Sequence, residues 1–232
     1  GGAGYIGSHL AVVLLQNGYH VIIVDNLSNS EYSVLEGIEA ASHRTVTAFY
    51  QCDLAAQDRL RNIFEEHKID AVVHLAGYKA VGESVENPLV YYRNNLLSTI
   101  SLLGVMKEYG CHKLIFSSSA TVYGAPDYLP IDESHPVRPA NPYGRTKLMI
   151  EEMLKDVAAA DPLDRFISLR YFNPVGAHPS GLIGEKPNGV PQNLMPVILQ
   201  VVQGKRPYLA VYGDDYNTAD GTAVRDYIHI MD

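Results

Sequence analysis

A tyrosine and a lysine stand four positions apart in the segment NPYGRTK, downstream of three consecutive serines. In a helix, Tyr143 and Lys147 would lie on one face, one above the other. An ammonium group near a phenol favours the phenolate and lowers the phenol pKa, which suits a general base acting on an alcohol. Ser119, the last of the serines, could hydrogen-bond to the same oxygen. We predict Ser119, Tyr143 and Lys147 as catalytic residues, although a solvated surface pair would have the same spacing.

The chain begins with the glycine-rich segment GGAGYIG, which satisfies two nucleotide-binding spacings through Gly1 or Gly2, Gly4 and Gly7. Glycines let the backbone turn tightly and approach a pyrophosphate at the N-terminus of the following helix. A purely structural turn would use the same glycines. Asp25 follows Gly7 by eighteen positions. A carboxylate there can accept hydrogen bonds from both ribose hydroxyls and repels a 2′-phosphate, which favours NAD over NADP. The alternative role for Asp25 is a helix cap or a turn.

Two further strand ends carry candidate cofactor contacts. Asp53 follows the third strand-like segment and could receive an adenine amino group or cap the next helix. The segment HLAG places small residues after His74, where they would admit a cofactor against the backbone. Lys79 could reach a ribose or a phosphate, or could simply be solvated.

Strand-like and helical segments alternate along the chain. The predicted strands cover residues 19–25, 45–51, 70–76, 112–118 and 165–171, and the predicted helices cover 5–17, 31–42, 57–67, 89–109, 142–160 and 193–203. This alternation predicts an α/β protein with a doubly wound parallel sheet, the Rossmann type. The first strand, which should precede the glycines, is missing, so we expect a chain truncated at its start.

The composition changes after Tyr171, where residues 173–192 are rich in proline and glycine. This segment predicts a long loop, followed by strand-like residues 208–212 and 224–230. We therefore predict a dinucleotide-binding domain over residues 1–171 and part of a smaller substrate-binding lobe over residues 172–232.

The overall composition excludes several classes of protein. The chain has 232 residues and a net charge of −8, which disfavours a nucleic-acid-binding protein. Its two cysteines, Cys52 and Cys111, supply neither a disulfide framework nor a zinc ligand set, so we predict no metal and a reducing, cytoplasmic compartment. No apolar run approaches the ~20 residues needed to span a bilayer, so no membrane partner is expected.

Several longer segments resemble the extended short-chain dehydrogenase/reductase family, in particular its nucleotide-sugar epimerases: LAGYKAVGES, IFSSSATVYG, NPYGRTK, LRYFNPVGAHPSG, NLMP and VRDYIHIMD. The resemblance runs from Gly1 to Asp232 but lacks the family's first strand and about its last third. It implies an isomerase of galactose metabolism that interconverts UDP-galactose and UDP-glucose. Tyr143 would take the proton of the sugar 4-hydroxyl while the C4 hydride passes to NAD. The 4-keto sugar would rotate and take the hydride back.

The same resemblance assigns binding residues. Cofactor contacts would be made by Gly1, Gly4, Tyr5, Ile6, Gly7, Asp25, Asn26, Leu27, Ser28, Asn29, Ser30, Asp53, Leu54, Leu75, Ala76, Gly77, Tyr78, Lys79, Asn94, Ser119, Tyr143, Lys147 and Phe172. Contacts with the UDP-sugar would be made by Ser119, Ala120, Thr121, Tyr143, Tyr171, Phe172, Asn173, Gln192, Asn193, Leu194, Ala210, Val211, Tyr212 and Arg225. A guanidinium such as that of Arg225 can bind phosphate oxygens in a bidentate manner, although it could instead pair with Asp226.

Two alternatives to the epimerase remain. The first is another nucleotide-sugar enzyme of this family, a 4,6-dehydratase or a decarboxylase. A dehydratase needs an acidic pair after the strand-end serine, where this chain has Ala120 and Thr121. The second is a non-catalytic NAD-binding fragment, but such proteins typically lose the tyrosine or the lysine, and both are present.

The helical segments 89–109 and 142–160 carry apolar residues on more than one face. These residues are Leu96, Leu97, Leu102, Leu103, Met149 and Met153. Surplus apolar surface on two helices suits a four-helix contact between subunits, and the family resemblance implies a homodimer of this kind. The alternative is that all six residues fill the core of a single chain.

Overall fold

The structure, a computed structural model, describes residues 1–191 and 193–232 and contains alternating helices and strands. In chain order the elements are α1 (Tyr5–Gln16), β1 (Ile22–Asp25), α2 (Ser33–Ser42), β2 (Ala48–Gln51), α3 (Gln57–Glu66), β3 (Val72–His74), α4 (Val81–Glu86), α5 (Pro88–Glu108), β4 (Lys113–Ser119), α6 (Pro142–Ala160), β5 (Arg165–Tyr171), β6 (Asn173–Val175), α7 (Leu194–Val202) and β7 (Tyr227–His229). A 3₁₀ turn, Ala120–Val122, follows β4.

Among the described residues every strand pair is parallel, which confirms the predicted α/β class. β1 pairs with β2, β4 lies between β3 and β5, and β6 pairs with β7. In the β4–β5 ladder, Ser118 lies opposite Arg170 and Ser119 lies opposite Tyr171. β4 and β5 therefore terminate side by side at the same edge of the sheet.

The described chain divides into two compact units. The first unit contains Gly1–Gly2, Ile22–Asn26 and Ala48–Tyr171, and the second contains Ala3–Val21, Leu27–Thr47 and Phe172–Asp232. The first unit thus holds β1 to β5 with α3 to α6. The second holds α1, α2, α7, β6 and β7. The proposed division into domains 1–171 and 172–232 stays a prediction.

The core of the first unit lies where α5 and α6 pack against β4. Its buried residues are Leu102, Leu103, Met106, Cys111, Leu114, Phe116, Ile150 and Leu154, with Leu96 and Met153 packed against them. Four of the six apolar residues that predicted a subunit contact therefore serve the core of the chain itself. Leu97 and Met149, in contrast, are exposed. Both cysteines, Cys52 and Cys111, are buried and unpaired, and burial raises the pKa of each thiol.

The chain departs from the predicted elements mainly near its C-terminal end. Residues 208–212 form no strand, and the predicted strand at 224–230 is reduced to β7. The proline- and glycine-rich loop contains the short strand β6, and the short helix α4 follows β3. In the described part of the chain, no helix combines the length and apolar character that crossing a membrane requires.

Candidate active site

The first turn of α6 carries Tyr143, and local sequence explains why the helix starts there. The Asn141 side chain accepts a hydrogen bond from the Gly144 backbone N–H at 2.8 Å, and Pro142 occupies the first helical position, where its fixed φ is favourable. A Cβ atom at Gly144 would lie 2.9 Å from the Thr121 carbonyl oxygen. Glycine therefore lets the start of α6 approach the turn that follows β4.

The three serines at the end of β4 meet the side chains of α6. The Lys147 ammonium donates a hydrogen bond to the Ser117 carbonyl at 2.8 Å and lies 5.7 Å from the centroid of the Tyr143 ring. Ser119 hydrogen-bonds to the Tyr143 phenol and accepts a hydrogen bond from the Thr121 hydroxyl at 2.9 Å. The structure thus brings Ser119, Tyr143 and Lys147 together, as the spacing in the sequence predicted.

Burial controls the protonation of both reactive side chains. It lowers the pKa of Lys147 to about 8, and the side chain is 4% exposed. It also raises the pKa of Tyr143, and the hydrogen bond from Ser119 offsets only part of this effect. The expectation that the nearby ammonium gives Tyr143 a lowered pKa is therefore wrong for the chain alone, because loss of solvation of the phenolate is the larger effect. An additional positive charge at this site would favour the phenolate.

The nucleotide-binding candidates of the first unit lie at neighbouring strand ends. A Cβ atom at Gly1 would lie 2.5 Å from the Ala76 backbone nitrogen, so only glycine permits this approach. Asp25 ends β1 with 6% of its surface exposed. Asp53 accepts hydrogen bonds from the Asn26 side chain at 3.0 Å and the Ala55 N–H at 2.9 Å, so it does stabilise the turn before α3. A narrow glycine approach beside a strand-end carboxylate fits a dinucleotide.

Asn95 on α5 links the loop after β3 to α6, and the sequence analysis did not predict this role. The Tyr78 N–H donates to the Asn95 side-chain oxygen at 2.8 Å, and the Asn95 amide donates to the Tyr78 carbonyl at 3.1 Å and to the Thr146 hydroxyl at 3.0 Å. The neighbouring Asn94, a predicted cofactor contact, donates to the Asn95 oxygen at 3.0 Å. Leu75, Ala76 and Gly77 precede this anchor, with Tyr78 and Lys79 exposed.

In the second unit, the glycine-rich turn leads directly into α1. The Gly4 carbonyl accepts a hydrogen bond from the Ser8 N–H at 2.8 Å, and the Tyr5 hydroxyl donates to the Gly176 carbonyl at 2.7 Å. Burial, with a smaller effect of Glu185, raises the pKa of Tyr5 to about 12. Ile6 and Gly7 lie in the first turn of α1.

The candidate residues 27–30 contact a segment near position 188. Asn188 donates hydrogen bonds from its N–H to the Asn29 side chain at 3.1 Å and from its amide to the Ser28 carbonyl at 3.2 Å. Leu27 and Ser30 lie in the same stretch, between β1 and α2.

The substrate candidates of the second unit are mostly exposed. Asn193 precedes α7 and donates to Glu185, and Leu194 begins the helix. Phe172 and Asn173 lie at β6, and Arg225 donates to the Val224 carbonyl at 2.9 Å. Residues 210–212, expected in a strand, are exposed and irregular. Gln192 lies outside the described residues.

Two further residues missed by the sequence interpretation lie beside the reactive group. Glu151 is one helical turn beyond Lys147, and Arg170 immediately precedes Tyr171. The Arg170 guanidinium binds the Glu151 carboxylate, with Nη2 at 2.7 Å from Oε2. The continued four-residue spacing from Tyr143 through Lys147 to Glu151 was the signal available in the sequence.

Comparison with known proteins finds a matching family model, similar proteins and similar solved structures. A family model described as GDP-mannose 4,6 dehydratase matches residues 1–232. UDP-glucose 4-epimerase 2 of Arabidopsis thaliana is 56% identical over 234 residues, which cover 100% of this chain and 67% of the relative. UDP-glucose 4-epimerase of Bacillus subtilis is 53% identical over 232 residues, covering 100% and 68%. The crystal structure of UDP-glucose 4-epimerase from Bifidobacterium longum in complex with NAD+ and UDP has a TM-score of 0.96 and 52% identity, covering 99% of this chain and 69% of that one.

A parallel α/β fold in which a strand-end serine meets a helical tyrosine and lysine is typical of the short-chain dehydrogenases/reductases. The chain spans about two thirds of the length of the relatives it matches. It belongs to the UDP-glucose 4-epimerase family.

Proposed function

We propose that the protein interconverts UDP-galactose and UDP-glucose by inverting the configuration at C4 of the sugar. The observation that carries the proposal is the contact of Ser119 with Tyr143 beside the Lys147 ammonium. When bound, NAD supplies the acceptor and later the donor of the C4 hydride, so the reaction has no net oxidation.

Tyr143, Lys147 and Ser119 have different roles in the proton transfer. Tyr143 takes the proton of the 4-hydroxyl and returns it after the sugar has been reduced. Lys147, with a pKa of about 8, is mostly protonated at neutral pH and stabilises the phenolate electrostatically. Ser119 orients the phenol through its hydrogen bond, and its contact with Thr121 fixes the serine hydroxyl in turn.

The binding roles are part of the same proposal. Gly1, Asp25 and the loop from Leu75 to Lys79 hold NAD, and Asp25 selects against a 2′-phosphate. The substrate candidates Tyr171 to Asn173, Asn193, Leu194, Ala210 to Tyr212 and Arg225 contact the UDP-sugar, together with Gln192. The exposure of Asn173, Asn193 and Arg225 leaves their polar groups accessible to a ligand.

A 4,6-dehydratase is the second candidate, and the description of the matching family model favours it. The residues after Ser119 argue against it. Ala120 has no titratable group, and the Thr121 hydroxyl donates to Ser119. An acid and a base for eliminating water are therefore missing from this turn.

Replacement of the phenol tests the assignment. In the natural full-length protein, Tyr143→Phe removes the general base and should lower the turnover of UDP-galactose by about 10²–10⁴-fold. Binding of the nucleotide sugar should change little, because only one hydroxyl is lost. Conversion is measured by separating the UDP-sugars, and binding is measured by calorimetry.

Two matched observations complete this test. Lys147→Ala should move the activity to higher pH, because the phenolate loses its cationic neighbour. Near-normal turnover in Tyr143→Phe would refute the assignment of the base. Release of a 4-keto-6-deoxy sugar by the unaltered protein would establish the dehydratase instead.

We also propose that the protein is a cytoplasmic homodimer. Support for the compartment comes from Cys52 and Cys111, which are buried and unpaired. Support for the dimer comes from the exposed apolar residues of α5 and α6, namely Leu97, Ile100 and Met149.

A further inference from the structure

A buried ion pair lies directly behind the reactive groups of the first unit. Glu151 is on α6, one turn after Lys147, and is 2% exposed. Arg170 is on β5 and contacts both carboxylate oxygens, with Nε at 3.0 Å from Oε1 and Nη2 at 2.7 Å from Oε2. This bidentate geometry fixes the relative orientation of the two side chains.

The ion pair extends to β4 through Ser118. The Ser118 hydroxyl donates to the Glu151 Oε1 at 2.5 Å, and Ser118 lies opposite Arg170 in the β4–β5 ladder. One carboxylate therefore joins α6, β4 and β5. Arg170 also lies over the Tyr123 ring, with Cζ 4.8 Å from the ring centroid.

Each of the three serines contacts a different residue on one side of α6. Ser117 accepts from Lys147 through its carbonyl, Ser118 donates to Glu151, and Ser119 hydrogen-bonds to Tyr143. Ser118 donates to a carboxylate whose charge Arg170 neutralises. Shifting α6 along β4 would break all three contacts together.

Glu151 accepts its hydrogen bonds in this network as a charged carboxylate. Burial alone would raise the pKa of Glu151, but the hydrogen bonds from Arg170 and Ser118, together with the positive charges of Arg170 and Lys155, hold that pKa below its ordinary value. Glu151 is thus a carboxylate at neutral pH, and Arg170 neutralises it. Burial lowers the pKa of Lys147, and the Lys147 ammonium donates its hydrogen bond to the Ser117 carbonyl.

We propose that Glu151, Arg170 and Ser118 are positioning residues for the reaction: they hold α6 in register with β4, so that Tyr143 and Lys147 meet Ser119 and Ser117. The inference deepens the proposed function and rests on it. None of the three residues is assigned a contact with substrate or cofactor. Their effect on the reaction is transmitted through the position of the phenol and the ammonium.

The test compares variants on the same helix and strand in the natural full-length protein. Glu151→Gln keeps the shape of the side chain and removes its charge, and Ser118→Ala removes one hydrogen bond. Leu154→Ala is the matched control, because Leu154 is buried one turn beyond the network, and its truncation destabilises the fold by leaving a cavity. All variants are assayed well below their unfolding temperatures, with cofactor content measured.

We expect kcat to fall by about 10–100-fold in Glu151→Gln, and by a smaller factor in Ser118→Ala, with KM changed by less than about twofold. Leu154→Ala should retain kcat although it lowers the unfolding temperature. If Glu151→Gln does not fold, Ser118→Ala decides the question. Loss of stability with normal kcat in the folded variants would overturn the positioning role.

A second measurement needs no turnover. The pKa of Lys147 is obtained from the pH dependence of its acylation, followed by mass spectrometry of the peptide. Loosening α6 admits water, so in Ser118→Ala, which leaves the charges of Glu151 and Arg170 unchanged, this pKa should rise from about 8 toward the ordinary lysine value near 10.4. An unchanged pKa in Ser118→Ala would overturn the inference. An inactive unaltered protein would overturn only the proposed function.

Discussion

Loss of solvent decides the chemistry of the individual side chains at this site. Tyr143 and Lys147 are both buried, and burial moves the pKa of the phenol up and the pKa of the amine down. The two shifts oppose proton loss from the tyrosine and favour proton loss from the lysine. A general base at Tyr143 therefore depends on nearby positive charge to a greater degree than the Tyr-x-x-x-Lys spacing suggests.

Asp25 should determine the choice of dinucleotide. Its carboxylate ends β1 and would repel a 2′-phosphate, so Asp25→Ala should reduce the preference for NAD over NADP by about tenfold or more, equivalent to about 1.4 kcal/mol. The ratio of dissociation constants, measured after removal of the bound dinucleotide, checks this. Asp53→Ala is the control, because Asp53 follows β2 and caps the turn before α3, and a contact with the adenine amino group would affect NAD and NADP alike. Equal affinities in the unaltered protein would contradict the prediction.

His74 should make the stability sensitive to acid. Burial, together with the Lys147 charge, lowers the pKa of His74 to about 3, and its Nδ1 has no partner among the described residues. A histidine in the unfolded chain titrates near pH 6.5, so below that pH the unfolded state binds more protons and the free energy of unfolding falls. At about 1.4 kcal/mol per pH unit, the loss reaches about 2 kcal/mol at pH 5.

Urea unfolding at pH 7 and pH 5 measures this loss. His74→Gln should show a difference between the two pH values that is smaller by about 2 kcal/mol. His20→Gln is the control, because His20 is exposed and its loss should leave the difference unchanged. An equal pH dependence in His74→Gln and the unaltered protein would be evidence against a buried neutral imidazole.

At the scale of the elements, the end of β4 and the start of α6 act as one structure. Asn141 fixes where the helix begins, and Gly144 lets that beginning approach Thr121. The side chains farther along α6 then meet the three serines. The position of Tyr143 therefore depends both on where α6 begins and on the contacts of α6 with the three serines.

Asn141→Ala should loosen the first turn of α6. The Gly144 N–H loses its acceptor, which should lower the free energy of unfolding by about 1 kcal/mol and reduce turnover, because Tyr143 is the next residue but one. Asn141→Ser, which can also cap a helix, should restore most of both quantities. Chemical unfolding and initial rates measure the two effects. Equal behaviour of the alanine and serine variants would rule out the capping explanation.

At the scale of the molecule, the exposed apolar residues of α5 and α6 predict self-association. Leu97 is 41% exposed, Ile100 is 50% exposed and Met149 is 44% exposed. Sedimentation of the natural protein at micromolar concentration should give a dimer, and Leu97→Glu with Ile100→Glu should give a folded monomer. Val202→Glu is the control, because Val202 is exposed on α7 instead. A monomeric unaltered protein would disprove the dimer.

Sequence patterns predicted the regular part of the fold well and its irregular part poorly. The apolar runs that become β1, β4 and β5 are continuous, so their strand character is local information. Residues 208–212 are also rich in apolar and aromatic residues, but they pair with no strand in the described part of the chain and remain irregular. A strand exists only where a partner strand supplies hydrogen bonds, and a single sequence does not reveal the partner.

In the candidate site, too, local sequence predicted some features, and others depend on the assembled fold. The Tyr143–Lys147 pair followed from helical spacing, whereas the Asn95 and Arg170 contacts join residues 17 and 19 positions apart. Such contacts depend on which strands are neighbours and in what register. The direction of the Tyr143 pKa also escaped prediction, because burial is a property of the assembled fold.

The two buried thiols give the first unit built-in chemical reporters. Cys52 and Cys111 both belong to that unit, and the sequence contains no other cysteine. A thiol reagent therefore reacts only when the first unit opens, and the reaction rate at each cysteine gives a local opening free energy. Differential labelling of the two positions would distinguish fraying of one strand end from cooperative opening. A cysteine introduced on an exposed surface could also carry a fluorophore without removal of either native thiol.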